Sequence, residues 1–342
     1  MNILRRYIDE ILKESSTSRV RNLSQDELIA LVDSLLGNDG SLVFTEKMAG
    51  THMDVLVKPT GEALSRSKTG RAHGAPHGGQ TSSPEILQAI EDSHPQPTED
   101  INYLFEIIRS QNRPDYIDYL IGDQTVAVEY SGKLTDSVKE TLNNSQSEVK
   151  FLSKEDITRE IIDIPDNSLN ILLALQDELG NSKISAERKK EIESELASVV
   201  GEVFSDSVLG GPTEGVFVSG GKRDFKIPTQ QYSDIQRLQA PIYTIFSGRS
   251  SLSKKELKNR IIGVSEDPDK INSDKILQDL VKYLEAAEEG FPPGFRSFVS
   301  PAEAIDILDD LDDASGGSKE AAARVYKALN HRVSNRDSWH SA

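Results

Sequence analysis

Apolar residues recur along this chain with two different periods. Leu4, Tyr7, Ile8, Ile11 and Leu12 fall at helical spacing, with Arg5, Arg6, Asp9, Glu10 and Lys13 on the other side, and predict an amphipathic helix. Ser24 followed by Asp26 and Glu27 offers a helix start, and Leu28, Ile29, Leu31, Val32, Leu35 and Leu36 supply a buried stripe that stops at Gly37. The pattern then changes. Residues 42–70 read as an apolar strand ending at Glu46-Lys47, a tight turn at Gly50, a second strand, a turn at Pro59-Thr60-Gly61 and a polar strand carrying Arg66. Lys47 is therefore expected at the lip of a β-hairpin. A surface charge accounts poorly for a lysine between apolar runs beside a glycine.

Residues 71–85 are rich in Gly, Pro, Ser and His and predict a surface loop; His73 and His77 within it lack the further ligands a metal site needs. Residues 84–93 and 100–110 read as two short helices, the second burying Tyr103, Leu104 and Ile107. Residues 116–121 and 125–130 read as a hairpin turning at Gly122-Asp123, and Glu129 interrupts its second strand, either on a solvated face or pointing into a site. A strand is expected at 149–152, helices at 167–179 and 186–204, and a strand pair around the Gly220-Gly221 turn. The two helices read as an insertion between strands of a β-rich core. Beyond Gln230 the period is helical throughout: 254–262, 273–287, 301–311 and 318–333 carry caps and apolar stripes. The Gly290 to Phe295 break is a rigid turn between helices, and the acidic run Asp309 to Asp313 is a solvated helix end without the Gly and terminal Glu of a calcium loop.

The expected organisation is α+β: an N-terminal helical segment over 1–40, a sheet domain over 41–232 and a helical C-terminal domain over 233–342. The 342 residues suffice for two domains, and no apolar run is long enough to span a bilayer, so no membrane partner is expected. Residues 1–15 are interrupted by Asp9, Glu10, Lys13 and Glu14, which breaks the apolar stretch of an export signal, so a cytoplasmic location is expected. No cysteine is present, which excludes disulfides and thiolate metal sites. The net charge of −17 opposes general attraction to nucleic acid, so a polynucleotide would have to be held by a local basic surface.

The polar residues at strand ends, Lys47, Arg66, Glu129, Glu214 and Lys226, form a set suited to attack on a nucleotide α-phosphate. A neutral lysine can act as nucleophile, the other cations offset charge growing on the phosphate, and carboxylates can hold a divalent metal. In order and context these motifs resemble the covalent nucleotidyltransferase superfamily of ATP-dependent DNA ligases, RNA ligases and mRNA capping enzymes. EKMAGTH, with Lys47, Gly50 and Thr51-His52, looks most like the RNA-ligase branch; SRSKTG, VAVEY, TEGVFV and DFKI stand where later motifs of that family fall, so the resemblance covers roughly residues 41–232.

The resemblance implies an ATP-grasp-like nucleotidyltransferase domain of antiparallel sheets with helical insertions. It implies Lys47, Glu214 and Lys226 as catalytic residues, and Glu46, His52, Arg66, Glu129, Phe151 and Lys222 as nucleotide contacts. Glu46 would read adenine, Arg66 the ribose and substrate end, Glu129 and Glu214 the sugar and metal, and Phe151 would stack on the purine. ATP with Mg2+ or Mn2+ would be the cofactors and RNA ends, more than DNA ends, the partners. The sequence departs from the family at Ala49, where an acid is usual, and at Pro228, where a second lysine often sits and for which Lys222 would compensate. LRRYIDEIL resembles the N-termini of many tailed-phage proteins. It makes a bacteriophage structural or assembly protein, located in host cytoplasm or virion beside other phage proteins, the alternative reading.

Overall fold

The computed structural model describes residues 18–38, 40–66, 84–93, 97–109, 116–144, 149–248, 250–335 and 340–341. The helix expected near residues 4–12 and the loop holding His73 and His77 lie outside them. The chain divides into two units, one of residues 1–110 and 120–230, the other of residues 111–119 and 231–342.

In chain order the first unit contains β1 (Ser18–Arg19), α1 (Gln25–Leu35), β2 (Val43–Lys47), β3 (Thr51–Val57), β4 (Ala63–Arg66), α2 (Pro84–Ser93), β5 (Ile101–Arg109), β6 (Thr125–Glu129), α3 (Asp136–Asn144), β7 (Val149–Leu152), β8 (Thr158–Arg159), α4 (Asp166–Asn181), α5 (Ala186–Val203), β9 (Gly215–Ser219) and β10 (Phe225–Pro228). The strands form two five-stranded sheets, ordered β1-β10-β9-β2-β8 and β4-β3-β5-β6-β7. Each sheet is antiparallel except for one edge pair, β1 with β10 and β6 with β7, which run parallel. The unit is thus α+β.

Alternation decides what each face does. In the first sheet Phe44, Val216, Val218, Phe225 and Ile227 point to one side and pack with Leu28 and Leu31 of α1, Leu172 and Leu175 of α4 and Leu196 and Val200 of α5. Helix α1 starts in a capping box in which the Ser24 hydroxyl takes the Glu27 amide and Glu27 takes the Ser24 amide. The same Glu27 accepts from Arg223 Nε at 2.9 Å, tying the helix start to the β9–β10 turn. In the second sheet Met53, Val55, Tyr103, Phe105 and Phe151 line one face, covered by Ile86 and Ile90 of α2 and Leu142 of α3.

Three sequence expectations are corrected. Residues 101–109 form strand β5 rather than a helix, because Tyr103, Phe105 and Ile107 alternate into the core and the segment is paired on both edges, by β3 and β6. Strands β2 and β3 are not a hairpin: β2 lies in the first sheet and β3 in the second, so Met48-Ala49-Gly50 carries the chain between sheets. Gly50 is required there, since a Cβ would meet the Ile107 carbonyl at 2.8 Å and Glu106 Cγ at 2.9 Å. Residues 116–121 do not pair with β6 either. Ile117 bridges Phe295, and Asp118 N donates to the Gly294 carbonyl at 2.7 Å, so residues 116–119 belong to the second unit.

The second unit is helical: α6 (Gln230–Phe246), which starts at the boundary, α7 (Lys254–Ile262), a one-turn helix at Lys270–Ser273, α8 (Lys275–Glu289), β11 (Arg296–Ser297), α9 (Pro301–Ser315), α10 (Lys319–Ser334) and β12 (His340–Ser341), which pairs with β11. Its aromatic centre is Tyr283, whose ring lies 5.2 Å from Phe298 and whose hydroxyl takes the Phe298 amide at 3.0 Å. The acidic run lies within α9, where Asp310 pairs with Arg324 of α10.

Candidate functional site

Lys47 stands at the last rung of β2, opposite Gly215 at the first rung of β9. Gly215 has a φ of +151°, and a Cβ there would fall 2.2 Å from the Ile227 carbonyl and 2.6 Å from Pro228 Cα. Only glycine lets β9 and β10 close at this end, where Pro228 pairs with Gly215. Glu214, one residue before β9, reaches back to form an ion pair with the Lys47 ammonium across 167 residues of sequence. Both side chains are mostly buried, the lysine 17% and the glutamate 9% exposed, so water screens the pair only weakly.

Strand alternation places further residues on the Lys47 face. Thr45 is two residues back on β2, Phe217 lies opposite Thr45 on β9, and Lys226 lies opposite Phe217 on β10. Lys226 is therefore two strands and one side-chain step from Lys47, about 12 Å between backbones from ordinary strand spacings and within reach of two long side chains. The Lys47 ammonium lies 5.9 Å from the Phe217 ring centroid. Next to it stands Tyr130, just past β6 of the other sheet, with its ring 5.5 Å from Phe217 in an edge-on arrangement. The Tyr130 hydroxyl donates to the Glu46 carbonyl and accepts from the Met48 amide, both at 2.9 Å. Burial, and then the carboxylates of Glu106, Glu214 and Glu46, push the Tyr130 phenol well above its ordinary range, so it stays protonated at neutral pH.

The other expected residues are not all gathered here. Glu46 shares the Phe44 side of β2, opposite to Lys47, and is 1% exposed. Its Oε2 accepts from Arg159 Nη1 at 3.1 Å and from the Val208 amide at 2.9 Å, while Oε1 is buried without a hydrogen-bond partner. Its placement does not present it to a base lying on the Lys47 face. Glu129 lies on the Phe105 side of the second sheet and is fully buried. Its carboxylate receives the Ser131 amide at 2.6 Å, the Ser131 hydroxyl and the Gly132 amide at 3.0 Å. It pins the turn after β6 and is not paired with Glu214 for a metal.

Phe151 is fully buried in the second sheet's core, edge-on to Phe105 at 6.0 Å, and offers no stacking face. Lys222 sits exposed in the β9–β10 turn, at the opposite end of β9 from Gly215, about 14 Å or more along the strand, too far to stand in for a second lysine.

His52 and Asp54 share the opposite face of β3, His52 Nε2 lying 2.9 Å from Asp54 Oδ1. In register His52 lies opposite Glu106 on β5 and Asp54 opposite Arg66 on β4. Glu106, Tyr130 and Phe217 were missed by sequence reasoning. A two-residue period over 101–109 would have put Glu106 on this face with Asn102 and Leu104, and the same alternation puts Phe217 beside Lys226. Among the described residues no group of three or more His, Cys, Asp or Glu could hold a metal. No described helix is long and apolar enough to cross a membrane.

These features define an α+β protein with a lysine–glutamate pair at the end of one sheet. No protein-family model matches the chain, and no curated protein matches it.

Proposed function

We propose that this protein is an ATP-dependent, ligase-like nucleotidyltransferase with an ATP-grasp-like sheet domain and Lys47 as nucleophile. The convergence of Lys47, Glu214, Phe217 and Lys226 supports this reading, since strands distant in sequence bring a mostly buried amine, a carboxylate, a flat ring and a second cation to one face. Lys47 Nζ attacks the α-phosphorus of ATP, the bond to the β-phosphate oxygen breaks, and pyrophosphate leaves with the electron pair. Glu214 is in contact with the amine and placed to take its proton. The Lys226 ammonium offsets the negative charge growing on the α-phosphate oxygens. Phe217 replaces Phe151 as the stacking surface. A terminal 5′-phosphate oxygen then attacks the lysyl-AMP, the nitrogen–phosphorus bond breaks, and the amine regains a proton.

Mg2+ or Mn2+ would arrive with the triphosphate; Glu214 is the carboxylate at hand for it, and Glu129 is committed to its turn. RNA ends are the favoured acceptors. Incubation with 5′-phosphorylated RNA or DNA, ATP and magnesium should yield an adenylylated or sealed end, and neither product would form with Lys47→Ala. Lack of product on either acceptor would remove the ligase assignment.

The second reading, a phage structural or assembly protein that keeps the fold without the reaction, is favoured by Ala49, which is buried and brings no acid to the site. Stable association with virion proteins that survives Lys47→Ala would support it.

A further inference from the structure

The Tyr130 hydroxyl occupies a place that a strand would otherwise fill. Along one edge of β2 the neighbour is β8, and β8 has only two residues, which pair with Phe44 and Thr45. Among the described residues, the edge beyond Thr45 has no strand beside it. Glu46 C=O and Met48 N–H point out of that edge together, since residues two apart in a strand direct their main-chain groups the same way. Buried main-chain groups of this kind need partners. A phenol can meet both needs with one atom, because it donates one hydrogen bond and accepts another. Tyr130 does this, giving its proton to Glu46 O and taking that of Met48 N, both at 2.9 Å. Lys47 is the residue between them.

We infer that Tyr130 is the positioning residue of Lys47, its hydroxyl clamping the main chain on both sides so that the amine leaves the last rung of β2 toward Glu214. The inference rests on the proposed role of Lys47. Two contacts fix the clamp itself. Its ring stands edge-on to Phe217, the ring over which the Lys47 ammonium lies. Its own backbone amide donates to Leu104 O at 2.8 Å, which anchors it to β5 of the second sheet. One side chain thus links the crossover between the sheets to the lysine. Protonated at neutral pH, its hydroxyl holds the bridge.

Tyr130→Phe removes only the hydroxyl. In the full-length chain, incorporation of label from ATP radiolabelled at the α-phosphate should slow at least tenfold. A second readout separates positioning from mere folding and needs no nucleotide. Trace acetylation with acetic anhydride, read by peptide mass spectrometry as the ratio of Lys47 to the exposed Lys222, should change at least threefold in Tyr130→Phe while the ratios among other lysines hold. Unchanged labelling together with an unchanged ratio would overturn the clamp. If the wild type takes no label, the nucleotidyltransferase reading fails, and the acetylation ratio alone decides the clamp. If Tyr130→Phe does not fold, hydrogen exchange of the Met48 amide in the wild-type chain decides it: strong protection is expected, and exchange as fast as an exposed turn amide would overturn it.

Discussion

At the residue scale, Glu46 and Lys47 show how one step along a strand separates two environments. Lys47 faces Phe217 and Glu214, whereas Glu46 is turned into a buried site with Arg159 and the Val208 amide. Burial raises the Glu46 carboxyl above its ordinary value of 4.5, against the opposing pull of its hydrogen bonds and of Arg159. Between 4.5 and that raised value the folded protein keeps a proton that the unfolded chain has released, so stability falls as pH rises through this window. Glu46→Gln has no such proton. Its melting temperature relative to wild type should climb as pH rises from about 4.5 to 8 in calorimetric scans. A pH-independent difference would show that Glu46 titrates normally. The alternation that separates the two residues was present in the sequence, but the family resemblance drew Glu46 and Lys47 into one site.

At the scale of elements, β5 explains most of what the sequence hid. Residues 101–108 carry apolar side chains at 101, 103, 104, 105, 107 and 108, a set that satisfies a helical stripe as well as a strand. Pairing with β3 and β6 settled the matter, and pairing is not visible in a local pattern. The helical reading concealed Glu106, and Tyr130 went unmarked because its partners, Glu46 O and Met48 N, lie more than 80 residues away. The helices, by contrast, were legible, because Ser24, Ser185, Ser253 and Ser300 announce their starts and apolar stripes fix their lengths. The strand assignment is open to direct test. Phe105→Ala should cost about 3–5 kcal/mol in chemical denaturation, as for other fully buried aromatic rings, while exposed Asn102→Ala should change stability by less than about 0.5 kcal/mol. Gly50→Ala should destabilise by roughly 1–3 kcal/mol, since its Cβ would meet the β5 main chain. Equal effects at 102 and 105 would contradict the alternation.

At the scale of the whole molecule, the chain is two units whose division does not follow sequence alone. Residues 116–119 leave the first unit's strands and pair with the turn at Gly290 to Phe295, held by the Asp118–Arg296 ion pair as well as the main chain. Nothing in a short run of Tyr, Ile and Asp announces a partner almost 180 residues away. Hydrogen exchange should show the amides of 116–119 opening with α8 and β11 and not with β6. Co-exchange with β6 would restore the hairpin reading.

The same long-range folding brings Lys47, Glu214, Phe217 and Lys226 to one face, whereas Glu46, Glu129, Phe151 and Lys222, expected in the same site, lie elsewhere. The net charge of −17 makes adventitious binding of a nucleotide or polynucleotide weak, so covalent capture is the most telling assay. The decisive measurement is incubation of the intact chain with magnesium and ATP radiolabelled at the α-phosphate, followed by denaturation and peptide mapping. The prediction is one AMP adduct, on Lys47, lost in Lys47→Ala and greatly reduced in Glu214→Gln. A well-folded wild-type chain that carries no label, or carries it on another residue, would contradict it.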